Sequence, residues 1–70
     1  MDKALLKYFI SKANLTTADL AAKLNMSVKT VQNKLSGRTE FTASEINGLI
    51  EVCDLSRDDL CHIFFNKSVA

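Results

Sequence analysis

Thr16-Thr-Ala-Asp-Leu-Ala-Ala-Lys-Leu-Asn-Met-Ser-Val-Lys-Thr-Val-Gln-Asn-Lys-Leu-Ser-Gly37 holds two short helical segments, each with its own start signal, and one tight bend between them. Thr16 and Ser27 stand where a side-chain hydroxyl accepts a bond from an orphan backbone N–H, and Asp19 and Thr30 follow three residues behind them. Leu20, Ala21, Leu24, Met26, Val31 and Leu35 supply an apolar seam at helical spacing. Asn25 falls at the bend, where a positive φ suits asparagine better than any residue except glycine. Gly37 closes the second segment as a left-handed C-terminal cap. Two capped helices across so short a bend predict a helix-turn-helix over residues 16–37, the arrangement that sets its second helix in a DNA major groove.

Working outward from that stretch, further helices are expected on both sides. Leu5, Leu6, Phe9, Ile10 and Ala13 form a broad apolar stripe over roughly Lys3–Ala13, with Lys3, Lys7 and Lys12 mostly away from it. The helix-turn-helix pair is predicted at about Thr17–Leu24 and Val28–Ser36, and Arg38 to Phe41 is a connector. Thr42-Ala-Ser-Glu45 is a capping box that starts a helix through about Cys53, with Ile46, Leu49, Ile50 and Cys53 inward. Ser56-Arg-Asp-Asp59 repeats the device ahead of Leu60, Ile63 and Phe64. Caps and periodicity agree, which predicts an all-α, compact five-helix domain over residues 1–70. No β-alternation of useful length and no internal repeat competes with it.

The 70 residues are 47% hydrophobic and contain no proline, which suits a small helical bundle with modest stability. No apolar run approaches the ~20 residues of a membrane span, and no long apolar core of a secretory signal is present, so a cytoplasmic protein is expected. Cys53 and Cys61 are then expected as buried, reduced thiols. Together with His62 they make only three candidate ligands, too few for structural zinc, so neither a metal nor any other cofactor is predicted. His62 lies on an acidic helix with no nucleophile and base pair at a convincing spacing, so no catalytic residues and no small-molecule ligand are expected.

The formal net charge is only +1, but it conceals a division along the chain. Residues 1–38 hold seven cations against Asp2 and Asp19, whereas residues 39–70 hold Arg57 and Lys67 against six carboxylates. The basic half carries the helix-turn-helix. A polyanion is therefore drawn to one side of the molecule and repelled from the other.

Projected at about 100° per residue, the second helix of the pair points Val31 and Leu35 into the seam and Lys29, Gln32, Asn33 and Ser36 outward. Gln and Asn form paired bonds with adenine, Lys donates to guanine acceptors, and Ser suits either. Val28, near the helix start, can meet a thymine methyl. Every amphipathic helix has a polar outside; this one is distinguished by three cations and no carboxylate from Ser27 to Arg38. Contacts to phosphate are expected from the first N–H groups at Thr17 and Ala18 with the Thr17 hydroxyl, and from Arg38 and Thr39 past the helix end, with Lys34 and Lys23 as weaker candidates.

From about Leu5 to Phe65 the chain resembles the Cro/C1-type (lambda-repressor-like, Xre) helix-turn-helix family. Leu20, Ala21, Met26, Ser27 and Val31 fall on that family's structural positions, and Ser36-Gly-Arg matches the glycine and base after its reading helix. Phe41-Thr-Ala-Ser-Glu-Ile and Ile63-Phe-Phe further resemble small repressor or Cro-like proteins of temperate phages and prophages in low-GC Gram-positive bacteria. The resemblance implies a five-helix transcriptional regulator that binds double-stranded operator DNA as a homodimer. By position it makes Thr17 a phosphate contact and Val28, Lys29 and Asn33 base-facing. Asn25 replaces the usual glycine at the bend. Lys34 stands where the family often has an apolar residue, with Leu35 beside it, which leaves Gln32 and Asn33 as alternative base readers. Phe64, Phe65 and Val69 are candidates for a partner face. The competing expectation is a helix-turn-helix-fold interaction module or antirepressor that binds another regulator and not DNA.

Overall fold

The computed structural model describes residues 1–65. Five helices occur in the order α1 (Lys3–Lys12), α2 (Thr17–Leu24), α3 (Val28–Leu35), α4 (Ala43–Cys53) and α5 (Arg57–Phe64), with no strand among the described residues. None of these helices is long and apolar enough to cross a membrane. The first and third end one residue earlier than the periodicity predicts, at Ala13 and Ser36 acting as caps.

Each helix starts on a side chain that accepts the amide three residues ahead. Thr16, Thr42 and Ser56 do so within complete capping boxes, whose Asp19, Glu45 and Asp59 carboxylates accept the N-cap amide in return. Ser27 caps α3 through Thr30, with a second bond of 2.8 Å between the two hydroxyls. Asp2 caps α1 through Leu5, a start signal absent from the sequence expectations.

Four of the five exits, all but that of α5, share one geometry as well. Asn14, Asn25, Gly37 and Asp54 all have φ between 53° and 85°. At each, the next amide reaches back five residues, as Arg38 N–H does to the Asn33 carbonyl (2.9 Å) and Met26 N–H to that of Ala21 (2.9 Å). This is the Schellman closure, which turns the chain sharply while satisfying carbonyls the helix leaves open. Only the cases at Asn25 and Gly37 were expected.

The buried core is Leu6, Ile10, Leu20, Ala21, Val31, Leu35, Leu49, Cys53, Leu55 and Ile63. Helix α2 packs against α3 and α4, while α1 touches α3, α4 and α5. A Cβ on Gly48 would lie 2.6 Å from a terminal methyl of Leu24, so a residue without a side chain lets α4 settle closely on α2. The Asp2 amide donates to the Ile63 carbonyl at 2.7 Å and joins the start of α1 to the end of α5.

Gly37 has φ +85°, and the nearest side chain to its missing Cβ is Lys3 at 3.7 Å, an ordinary contact. The cost of a substitution there is thus confined to the backbone. Gly37→Ala is expected to lower stability by about 1–2 kcal/mol. Gly37→Asn should cost less, because asparagine tolerates this region. Thermal unfolding followed by circular dichroism checks both.

Candidate nucleic-acid interface

Three residues, Asn25 to Ser27, separate α2 from α3. The left-handed Asn25 reverses the chain, Met26 is half-buried against the core, and Ser27 opens the next helix at once. With so short a tether the two helices have little freedom relative to each other, and Leu20, Ala21, Val31 and Leu35 are buried in the core they share.

That anchoring decides which residues of α3 face out. Lys29, Gln32 and Ser36 are exposed and Val28 is 41% exposed, whereas Asn33 is only half-buried. The Ser36 hydroxyl donates to the Asn33 carbonyl (2.9 Å), so its proton is engaged and its lone pairs remain to accept. Beyond the Gly37 turn, Arg38 and Thr39 are exposed. At the start of α2, Thr17 is half-buried and Ala18 exposed. The amides of these first two helical residues have no intrahelical acceptor, while the Thr16–Asp19 capping box engages those on either side. Lys23 is exposed on the last turn of α2.

Lys34, expected as a phosphate contact, is instead buried: its ammonium lies 3.0 Å from the Glu45 carboxylate and donates to the Glu40 carbonyl at 2.9 Å. The Phe41 ring lies beside it, 5.9 Å from ammonium to ring centre. A group held this way is not free to meet a phosphate. The physical reason lies in the helix itself, for position 34 is one turn from buried Val31 and next to buried Leu35. A long methylene stem crosses the apolar seam there and delivers its charge to the far side. Outward cations from Ser27 to Thr39 therefore number two, Lys29 and Arg38, and no carboxylate stands among them.

A further contact had no local signal. The Lys3 ammonium donates to the Ser36 carbonyl at 3.1 Å. A cation is placed at the negative end of the α3 dipole by a residue 33 positions away.

Elsewhere, Cys53 is buried as expected and burial pushes its thiol pKa up, but Cys61 is exposed, contrary to expectation. Cys61 follows Leu60 on the outward side of a helix whose buried anchor is Ile63. Among the described residues no three His, Cys, Asp or Glu side chains come together in a way that would hold a metal ion. Phe64 is half-buried and meets Phe41 edge-on, with ring centres 6.0 Å apart, while Phe65 is 65% exposed. Val69 lies outside the described residues. Met1, Phe41, Ile46, Phe64 and Phe65 line an open cleft of about 470 Å³ beside the Ser36–Gly37 turn.

Compared with known proteins, the chain matches no family model, and no curated protein or solved structure is significantly similar to it.

The capping carboxylates carry a pH dependence. The Thr16 amide holds Asp19 below the usual carboxylate range, the Ser56 amide does the same for Asp59, and the Thr42 amide, with Lys34 adding to it, does so for Glu45. Groups whose pKa falls on folding favour the native state above their unfolded pKa, and that contribution is lost as pH drops through the depressed value. The melting temperature should thus be flat between about pH 5 and neutrality and fall steadily below pH 5. Asp19→Asn and Glu45→Gln should each make that fall shallower, as seen by thermal melts between neutral and strongly acidic pH.

Removing one member of a largely enclosed ion pair leaves the other charge stranded. Lys34→Ala is expected to cost about 2–3 kcal/mol. Lys34→Met combined with Glu45→Gln should recover a substantial part, because no lone charge remains. Chemical denaturation of Lys34→Met, Glu45→Gln and the double variant measures the coupling.

Proposed function

We propose that the protein is a sequence-specific double-stranded DNA-binding transcriptional regulator, with α2 and α3 acting as a helix-turn-helix and α3 entering the major groove of an operator. The observation that carries this reading is the exposed, carboxylate-free flank of α3, which offers Lys29, Gln32 and Ser36 to base edges. Hydrogen-bonding groups of these kinds distinguish base pairs in the major groove. Arg38 and Thr39 beyond the Gly37 turn, and Thr17 and Ala18 at the start of α2, are the phosphate contacts that fix the helix in register. Lys34 takes no part.

The charge division supports the same reading. Cations concentrate on the half containing α1, α2 and α3, and carboxylates on the half containing α4 and α5. The protein so approaches DNA with one side only. A single eight-residue reading helix makes few base contacts, and useful specificity requires two copies on half-sites about 34 Å apart. Exposed Phe65 provides apolar surface for pairing. The protein acts in the cytoplasm, needs no cofactor and is not an enzyme.

Binding-site selection from random duplexes, followed by a salt titration on the recovered site, tests this. An inverted-repeat consensus and an affinity that falls steeply with salt are expected. Lys29→Ala should weaken binding about tenfold or more, with the fold intact by circular dichroism. Lys34→Met combined with Glu45→Gln, which leaves no stranded charge, should leave the salt slope unchanged, because no phosphate contact is lost. Recovery of no consensus from the wild-type chain would instead favour an interaction module that binds another regulator.

A further inference from the structure

Resting on that reading, we infer that α1 carries a third phosphate-contacting surface, on which Lys3 and Lys7 meet the sugar-phosphate backbone of the operator and join the contacts beyond α3 to those at the start of α2. Helix α1 holds three lysines and no carboxylate. At about 100° per residue, Lys3, Lys7 and Ser11 follow one another at offsets of about 40° and form one exposed stripe, whereas Lys12 lies about 180° from Lys3.

The fold gives the two sides of α1 different neighbours. At one end of the stripe the Lys3 ammonium donates to the Ser36 carbonyl at 3.1 Å, and it lies 3.7 Å from where a Gly37 Cβ would stand. Arg38 and Thr39 follow directly and are exposed. Further along, Lys7 and Ser11 line one open cleft with Thr16 and Thr17 at the start of α2 and Leu35 of α3. The stripe therefore runs from one group of phosphate candidates to the other. Lys12 belongs to the opposite side: its ammonium lies 6.0 Å from the ring centres of Tyr8 and Phe9, and it lines a separate cleft with Asp54 and Asp59.

Positive charge is left over on this stripe. Neither Lys3 nor Lys7 forms an ion pair among the described residues, although Glu40 lines a cleft together with Lys3. The Asp2 carboxylate, next to Lys3 in the chain, is taken up by the Leu5 amide at 3.0 Å. An ammonium has three donors, and the Ser36 carbonyl engages one of those on Lys3. That bond restrains the head group and leaves two donors for a phosphate, at a reduced cost in side-chain freedom. Each phosphate neutralised in this way releases counterions and conveys no sequence information, so these lysines add affinity and register but not base preference.

Salt titration of the full chain on the operator recovered for the wild type tests this, with Lys3→Met, Lys7→Met and Lys12→Met each removing one unit of charge. Lys3→Met and Lys7→Met should each reduce the slope of log affinity against log salt by about one per bound chain. The affinity lost between about 50 mM and about 200 mM salt should accordingly shrink about threefold per bound chain. The selected consensus should stay the same in both. Lys12→Met should leave the slope in place, which separates a contact from a change in total charge. Lys3→Arg should keep the wild-type slope. A Lys3 that serves only the exit of α3 would lower the melting temperature on replacement and leave the slope alone. Circular dichroism confirms folding, and exposed Lys7 decides alone if Lys3→Met does not fold. A slope that Lys3→Met or Lys7→Met leaves unmoved in a folded protein, or that Lys12→Met moves as much, overturns the surface on α1 and leaves operator binding standing. A wild-type chain that returns no consensus overturns both.

Discussion

One buried ammonium governs how α3 is presented. Lys34 crosses beneath the helix to a carboxylate and a backbone carbonyl on the chain that opens α4, and the same Glu45 closes the capping box with Thr42. A rotation of α3 about its axis would pull this charge away from both acceptors and strand it among apolar groups. Hydrophobic contacts at Val31 and Leu35 tolerate small slides, but a charge with two fixed acceptors does not. The outward set of α3 is thus defined by an interaction on its inward side.

The connection also links the two electrostatic halves. Glu45 belongs to the carboxylate-rich part of the chain, yet it is turned toward the cationic part and neutralised there. Exposed carboxylates remain at Glu40, Glu51, Asp54 and Asp58, between the end of α3 and the start of α5. Salt screens charges exposed in this way more than it screens the largely enclosed Lys34–Glu45 pair.

Helix starts were legible because each depends on a residue and a partner three positions on, a relation wholly local in sequence. Thr16–Asp19, Thr42–Glu45 and Ser56–Asp59 are all in place. Asp2 escaped notice because its partner amide, on Leu5, belongs to a first turn with no carboxylate of its own to complete the box. The left-handed exits at Asn14 and Asp54 were less visible than Gly37, since asparagine and aspartate serve in many turns and glycine is more restricted in its meaning. Lys34 is legible as an inward position, one turn from Val31 and beside Leu35, but its acceptors at Glu40 and Glu45 come from the chain beyond the helix and carry no local signal.

The bond from the Asp2 amide to the Ile63 carbonyl gives the fold a circular character. Contacts of α2 with α3 and α4 close short loops, whereas this one encloses almost the whole polypeptide and carries the largest loop-closure entropy of any backbone bond described. The same few residues hold Lys3 on the last carbonyl of α3. Loosening of the Asp2–Ile63 bond would therefore reach the exit of α3 through Lys3, so that two distant stretches of the chain share one clasp.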